Sequence, residues 1–597
     1  MSHTLGGVAG PASRSSAPAL TIPRQRTAPP VVAEPRPRRR FATAGLVVSG
    51  LAVLLFGYLR MARATPTNAD GGANALQAWD MLHGNVLLSG WTLSDVSFYP
   101  TELVQYALIE LVYGLDQDVI HVASAITYTL LIVFAALVAK GEATGRAAWA
   151  RVALVVAVLL VPEPHSGWAV VLYVPDHTGT AVPLLVMLLL ADRRARTPLG
   201  RWWPAGVAVL LAIAQVADPL ALFIGAIPLV LVSAVRLRRD RTWRGPDAHL
   251  LLASVASVAM AQAALALIWR AGGFALHSPI AKLAHWRDLP DHAWLAARAT
   301  ALNYGAYFPH LNDGPLAPLD IAAGVVNLAL LLLAAAAVVL VCSRAVRRAG
   351  ASAGASAGSS SADRIAELLA AAIVCNLGAY IISTQAGENL SSSRQIVAVL
   401  PFGAALAARV WGDRLAALVT RPRVRWLTGA LAALLVVAFA GQAVTARARP
   451  AEAAHVADWL VAHDLKYGLG SYWASNNVTV AAGGAVQVAP VIGPDIRAFR
   501  WESKASWYDA SLHDARFVVI DLQHPAYGTV DAAVGQFGPP RHREDLGRWT
   551  VLVYDHNLLV DLPAQCGGLI AAAHAHCPPL PPKLPGSALF TDDPEHP

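Results

Sequence analysis

Apolar residues in this chain come in long blocks separated by short polar connections. Eleven blocks stand out, at 41–59, 119–139, 147–162, 178–192, 204–217, 219–236, 248–269, 319–342, 365–384, 395–411 and 426–445. A hydrocarbon core of ~30 Å calls for about this length of apolar chain. Lipid offers backbone N–H and C=O groups no partner, so each block is expected to be a helix. Only Asp218-Pro219 divides the pair 204–217 and 219–236.

The polar connections alternate in charge. One set carries Lys140, Arg146 and Arg151, then Arg193, Arg194, Arg196 and Arg201, then Arg236, Arg238, Arg239, Arg241 and Arg244. The same set continues with Arg344, Arg347, Arg348 and Arg364, and ends with Arg414, Arg421, Arg423 and Arg425. The connections between these are poor in Lys and Arg. The positive-inside rule places the basic set in the cytoplasm, together with the N-terminus, because Arg36, Arg38, Arg39 and Arg40 precede the first block. The expectation is a multi-pass protein of the plasma membrane.

The outer connections have structure of their own. In the first, about 60–118, Gly72–Leu82 and Glu102–Tyr113 have helical apolar spacing. The connection 270–318 carries Trp286 and Trp294, which suit an interfacial helix. Beyond the last block the chain turns soluble in character. Glu452–Asp464 reads as a helix; Thr479–Ala482, Val486–Val491, Phe517–Asp521 and Thr550–Tyr554 read as strands between Gly/Pro turns. The fold class is therefore an α-helical polytopic membrane protein of about eleven transmembrane helices, spanning 41–445. A small α/β extracytoplasmic domain follows at 446–577. Residues 1–40 and 578–597 read as disordered tails, and the low-complexity stretch 349–362 as a flexible linker.

Composition sharpens this reading. Hydrophobic residues make up 55% of the 597 and charged ones 14%, with a mean hydropathy of +0.47. A soluble domain is about 25% charged. The net charge of +7 does not indicate nucleic acid, because the basic residues lie in clusters between apolar blocks and form no stripe. Cys342 and Cys375 fall in apolar spans, whereas Cys566 and Cys577 in the outer tail could form a small-loop disulfide.

Acids and histidines gather in the outer connections. These are Asp70, Asp80, His83, Asp95 and Glu102 in the first, Glu163, His165, Asp176 and His177 in the next, then Asp218, and later Glu388 and Arg394. Ionisable groups at the ends of membrane helices mark functional sites. Asp176 and His177 could be a metal-ligand pair or could cap the next helix. Arg394 on the outer side needs an anionic partner, either a lipid phosphate or Glu388. Trp473, Trp501, Trp507 and Tyr508 in the C-terminal domain could stack on sugar rings or form core.

The stretch from Thr67 to Leu115 has a particular shape: Asp70 after the first span, a helix ending in Leu82-His83-Gly84, then Asp95 and Pro100 before a second helix. It resembles the glycosyltransferase C (GT-C) superfamily, polytopic enzymes that use polyprenyl-phosphate-linked sugars, and within it an actinobacterial branch of membrane proteins. Ser391-Ser392-Ser393-Arg394-Gln395 with Pro401 is similar to the Arg-bearing outer loop that meets the lipid phosphate there. The resemblance implies transfer of a sugar from a lipid-linked donor to a cell-envelope glycan, lipid or protein on the outer face. It implies Asp70 as catalytic base and Arg394, Asp95, Glu102, His83 and Asp218 as substrate contacts. A divalent metal ion is a possible cofactor, with Asp176 and His177 as its ligands. One departure is that the first acid of the superfamily is often paired with a second, whereas Gly71-Gly72 follows here. The residues also leave open a non-catalytic protein that binds lipid-linked glycan, or a transporter or flippase.

Overall fold

The computed structural model describes residues 37–164, 166–193, 202–241, 243, 245–311, 315–350, 361–387, 390–493 and 495–562. Cys566, Cys577, His165, Glu388 and both expected tails, apart from the helical residues 37–40, lie outside them. The chain divides into two units, 1–51 and 52–597. The described part of the first is the leading portion of helix α1 (Pro37–Ala62).

Two helices follow in the connection after α1, α2 (Ala69–Leu82) and α3 (Glu102–Tyr113), with the short strand β1 (Trp91–Leu93) between them. α3 exposes Leu108, Leu111 and Val112 and buries Glu102, Tyr106 and Glu110, the pattern of a helix lying in a membrane surface. Then come α4 (Asp118–Lys140), α5 (Gly145–Leu159), α6 (Ser166–Val171), α7 (Ala181–Arg193), α8 (Trp203–Ala217), α9 (Ile227–Asp240) and α10 (Pro246–Arg270). After strand β2 (Ala275–Leu276) the helices are α11 (Leu289–Asn303), α12 (Ala317–Gly350), α13 (Ser361–Ile381), α14 (Val399–Leu418) and α15 (Pro422–Thr445).

A helix lies under each of the eleven apolar blocks. Among the described residues, seven helices are long and apolar enough to cross a membrane: 44–62, 118–140, 246–270, 317–348, 364–381, 392–418 and 422–445. The other four blocks hold shorter helices. α8, for example, has 15 residues and is ~22 Å long. Trp286 and Trp294 are both exposed.

The C-terminal domain holds α16 (Ala454–Ala462), β3 (Tyr467–Ser471), α17 (Tyr472–Ala481), β4 (Gln487–Ile492), β5 (Arg497–Ala498), β6 (Ser503–Lys504), β7 (Phe517–Asp521), α18 (Val530–Phe537), β8 (His542–Leu546) and β9 (Trp549–Val553). The main sheet has the order β5-β4-β3-β7-β9-β8. β3 runs parallel to both β4 and β7, whereas β5, β9 and β8 are antiparallel additions. One face of the sheet packs Leu469, Val518 and Leu552 against α18, and the other packs Val488, Phe517 and Val551 against α16 and α17. The expected strand at Thr479–Ala482 is a correction: these residues close α17. Ser475 and Thr479 each donate a hydroxyl hydrogen bond to the carbonyl four residues back. This satisfies them inside a helix despite their β-favouring composition.

A second, three-stranded sheet, β2-β1-β6, joins the connection after α1, the connection after α10 and the C-terminal domain. Trp91 and Thr92 pair with Lys504 and Ser503. The connection after α1 is thus built into the domain.

Candidate active site

The site begins at the N-terminus of α2. Asn68 caps this helix by accepting the Gly71 N–H at 2.7 Å, which places Asp70 in the first turn, where the helix dipole favours an anion. Two further segments bring a partner each. Arg394 lies on the 3-10 turn Leu390–Ile396 just before α14. That turn is pinned from both sides, since Asn303 donates to the Ser393 carbonyl at 3.0 Å and Asn376 to the Gln395 carbonyl at 3.1 Å. Arg394 Nη2 stands 3.6 Å from Asp70 Oδ2, an ion pair too long for a hydrogen bond. Tyr472 follows the central strand β3 directly and opens α17.

The Tyr472 hydroxyl lies 2.7 Å from Asp70 Oδ1 and 2.8 Å from Glu502 Oε2. It carries one proton, so it cannot donate to both, and at one contact the carboxyl must be the donor. Burial pushes the Glu502 carboxyl well above the ordinary carboxylate range, and Asp70 adds to the push. Glu502 therefore keeps its proton and donates to Tyr472, which donates to Asp70. The result is a directed hydrogen-bond chain ending on Asp70.

Four more acids surround this chain. Asp176, fully enclosed, is pushed up to about 7 by burial and by Asp70. It accepts from Asn74 of α2 at 2.9 Å. Glu102, at the start of α3, is buried beside Gly179 and bonded to the Thr101 hydroxyl, and burial pushes it up to about 8. Asp95 accepts the Ile280 N–H at 3.1 Å and is also raised by burial. Asp218 behaves oppositely. Burial raises its carboxyl, but His177 at 2.8 Å, the Thr180 hydroxyl at 2.6 Å and the Leu220 N–H at 2.8 Å together hold it below the ordinary value. Burial likewise lowers His177, and Asp218 outweighs it, so the imidazole is raised. Each partner thus favours the charged form of the other.

The structure therefore gathers Asp70, Arg394, Asp95, Glu102, Asp176, His177 and Asp218 at one seam. It does not gather His83, which caps α2, lies exposed at its far end and rests tilted against Trp79. Asp80 is engaged structurally, accepting from Lys504, Trp91 and Asn85. Asp176 does not cap the next helix as the alternative reading had it; helix α7 starts at Ala181. Tyr472, Glu502 and Asn74 belong to the site and nothing local in the sequence marks them. They matter through contacts made hundreds of residues away, or across to Asp176.

The donor set does not fit a bound metal ion. Asp176 and His177 point to different partners, Asn74 and Asp218. Among the described residues no three His, Cys, Asp or Glu side chains converge on one point.

Gly71 and Gly72 have a steric reason. A Cβ at Gly71 would stand 2.8 Å from Val174 and 2.9 Å from Ile120; one at Gly72 would stand 3.0 Å from the Asn477 side chain and 3.2 Å from the Asn476 backbone. α2 is pressed between α4, the 174 segment and α17, and no second carboxylate fits beside Asp70.

No family model matches the sequence, and no curated protein matches it either. Among solved structures, the chain is similar to the oligosaccharyltransferase of Archaeoglobus fulgidus solved with zinc and sulfate (13% identity, TM-score 0.46, covering 81% of this chain and 70% of that one). It is also similar to ArnT from Cupriavidus metallidurans bound to undecaprenyl phosphate (14% identity, TM-score 0.47, covering 85% and 98%).

Proposed function

We propose that this protein is a membrane glycosyltransferase that moves a sugar from a polyprenyl-phosphate donor to a cell-envelope acceptor at the outer face. One observation carries the reading: Asp70, Arg394 and Tyr472, from three distant segments, meet where the helix bundle joins the C-terminal domain. This juxtaposition supplies what the reaction requires. The acceptor hydroxyl or amide attacks the anomeric carbon, and its proton passes to Asp70. The bond from that carbon to the phosphate oxygen breaks, and the electron pair stays with the lipid phosphate. Arg394, only loosely paired with Asp70, can turn its guanidinium to that phosphate.

The surrounding acids fit an anionic donor only because several hold protons. Glu102 is largely neutral near pH 7 and Asp176 is close to half so, and burial raises Glu502 as well, which lowers the repulsion a phosphate meets there. His177 stands beside them, paired with Asp218 at 2.8 Å. The C-terminal domain would bring the acceptor, since Tyr472 and Glu502 belong to it.

The test is a transfer assay with purified protein in lipid, offered radiolabelled polyprenyl-phosphate mannose, glucose and arabinofuranose, with envelope extract as acceptor. Transfer that is lost in Asp70→Asn and weakened in Arg394→Gln supports the reading. Donor binding without transfer from any sugar would make the protein a binder of lipid-linked glycan, and neither binding nor transfer would favour a transporter.

A further inference from the structure

The opposite end of the bundle carries a second feature. α5, α12, α13 and α14 meet there around a cavity of about 150 Å³. Four guanidinium groups line it, those of Arg151, Arg344, Arg348 and Arg409, against one carboxylate, Glu367. Arg409 lies about ten residues beyond the start of α14, ~15 Å down that helix from the turn bearing Arg394. The cavity is therefore separate from the Asp70 cluster.

Its walls are fixed. Arg151 is held by Asp413 through contacts of 2.9 and 2.7 Å, and Arg409 by Asp192 at 2.5 Å. Glu367 is shared: Arg236 takes it at 2.8 Å, with Arg239 at 3.7 Å and Arg348 at 3.9 Å. Arg236 and Arg239 have carboxylates of their own, Asp247 at 3.2 Å and Asp240 at 2.9 Å. Arg344, at the mouth, is exposed, and no carboxylate among the described residues lies within ion-pair distance of it. Arg344 therefore adds positive charge at the mouth of a preformed surface.

An apolar groove leads into it. Val341 and Val410 line the cavity itself. Leu333, Leu340 and Arg344 recur at intervals of seven and four residues on α12, which puts them on one side of the helix. Leu333 is 39% exposed, and its carbonyl accepts the Trp411 indole N–H at 3.0 Å, so Trp411 forms the groove's other wall. A cationic cup at the end of a membrane span, continuous with an apolar groove, has the form of a headgroup site with room for a chain. We propose that this pocket binds an anionic phospholipid, its phosphate facing Arg344 and Arg348 and an acyl chain lying along Leu340, Leu333 and Trp411.

The test is thermal unfolding of the full chain in detergent, titrated with phosphatidylglycerol, phosphatidylcholine or inorganic phosphate. Phosphatidylglycerol should raise the unfolding midpoint of the wild type and phosphatidylcholine should not. In the Arg344→Gln/Arg348→Gln double variant the titration midpoint should rise by about tenfold, the loss of charge-assisted hydrogen bonds to phosphate. Arg394→Gln should respond like the wild type, which separates this pocket from the donor site. Equal responses in the wild type and the double variant would overturn the proposal, as would equal protection by phosphatidylcholine. Protection by inorganic phosphate as strong as that by phosphatidylglycerol would overturn the lipid assignment. Native mass spectrometry of the wild type needs no variant: one retained phosphatidylglycerol in preference to phosphatidylcholine supports the site, and no preference counts against it.

Discussion

At the residue scale, the chain Glu502–Tyr472–Asp70 makes an asymmetric prediction. Tyr472→Phe removes the hydroxyl between two carboxyl groups and leaves each without its buried partner. A hydrogen bond to a charged group contributes about 1.5–3 kcal/mol, so transfer should fall by about 10- to 100-fold. Glu502→Gln keeps a donor towards Tyr472 and should retain most of the activity. Should the Phe variant transfer at the wild-type rate, the hydroxyl does not tune Asp70. The raised acids also set a pH dependence. The folded state holds protons on Asp176 up to about 7, on Glu102 up to about 8 and on Glu163 up to about 9, whereas the unfolded chain releases them near 4. Between those values the folded state binds more protons, so stability falls as pH rises. His177, also raised, acts in the same direction; His277 and His513, both lowered, oppose it near pH 6. The unfolding midpoint should therefore be higher at pH 5 than at pH 8, and Glu102→Gln should narrow the difference. A midpoint that rises with pH would show these carboxyl groups to be ionised.

At the element scale, Gly71 offers the sharpest test. Gly71→Ala drives a Cβ against Val174 and Ile120, and overpacking of this kind costs about 1–3 kcal/mol. Gly71→Asp, which would restore the adjacent pair of acids, should cost at least as much and bring no gain in transfer. A stable, more active Gly71→Asp variant would mean that α2 can move away from its neighbours. The same scale shows what the sequence reveals. Long apolar blocks, α2, α3, and strands β4, β7 and β9 follow from periodicity and turn residues, because each answers to local pattern. α17 does not: Val478, Thr479 and Val480 favour a strand, and only burial against α2 and β4 makes them helical. Asp70, Asp95 and Arg394 could be picked out as polar residues beside membrane helices. Tyr472 could not, since a tyrosine after a strand is ordinary until the fold sets it beside Asp70. His83, chosen by the same rule as Asp70, lies one helix length away because α2 carries the two to opposite ends.

At the scale of the whole molecule, the C-terminal domain is held by far more than its covalent link to α15. β6 pairs with β1, and Lys504 reaches Asp80 at 3.1 Å. Arg500 donates to the Thr92 hydroxyl at 3.0 Å, and Gln117 to the Asn477 carbonyl at 3.1 Å. His277 bonds the Arg500 carbonyl at 2.7 Å, and Arg449 N–H donates to the Arg63 carbonyl at 2.9 Å. These contacts bridge segments hundreds of residues apart, and they surround the Asp70–Tyr472 contact. If they fix the domain, the exposed link at 447–450 is needed for assembly of the site and not for its upkeep. A protease site inserted after Arg447 and cut in the folded protein should leave the domain co-eluting with the helix bundle, with transfer preserved. Adding Arg500→Ala and Lys504→Ala should make the cut protein separate, because cutting removes the high effective concentration the link provides and the seam must then hold alone. Separation of the cut wild type would show that the link, and not the seam, keeps Tyr472 on Asp70. The active site would then depend on a domain free to swing away between turnovers.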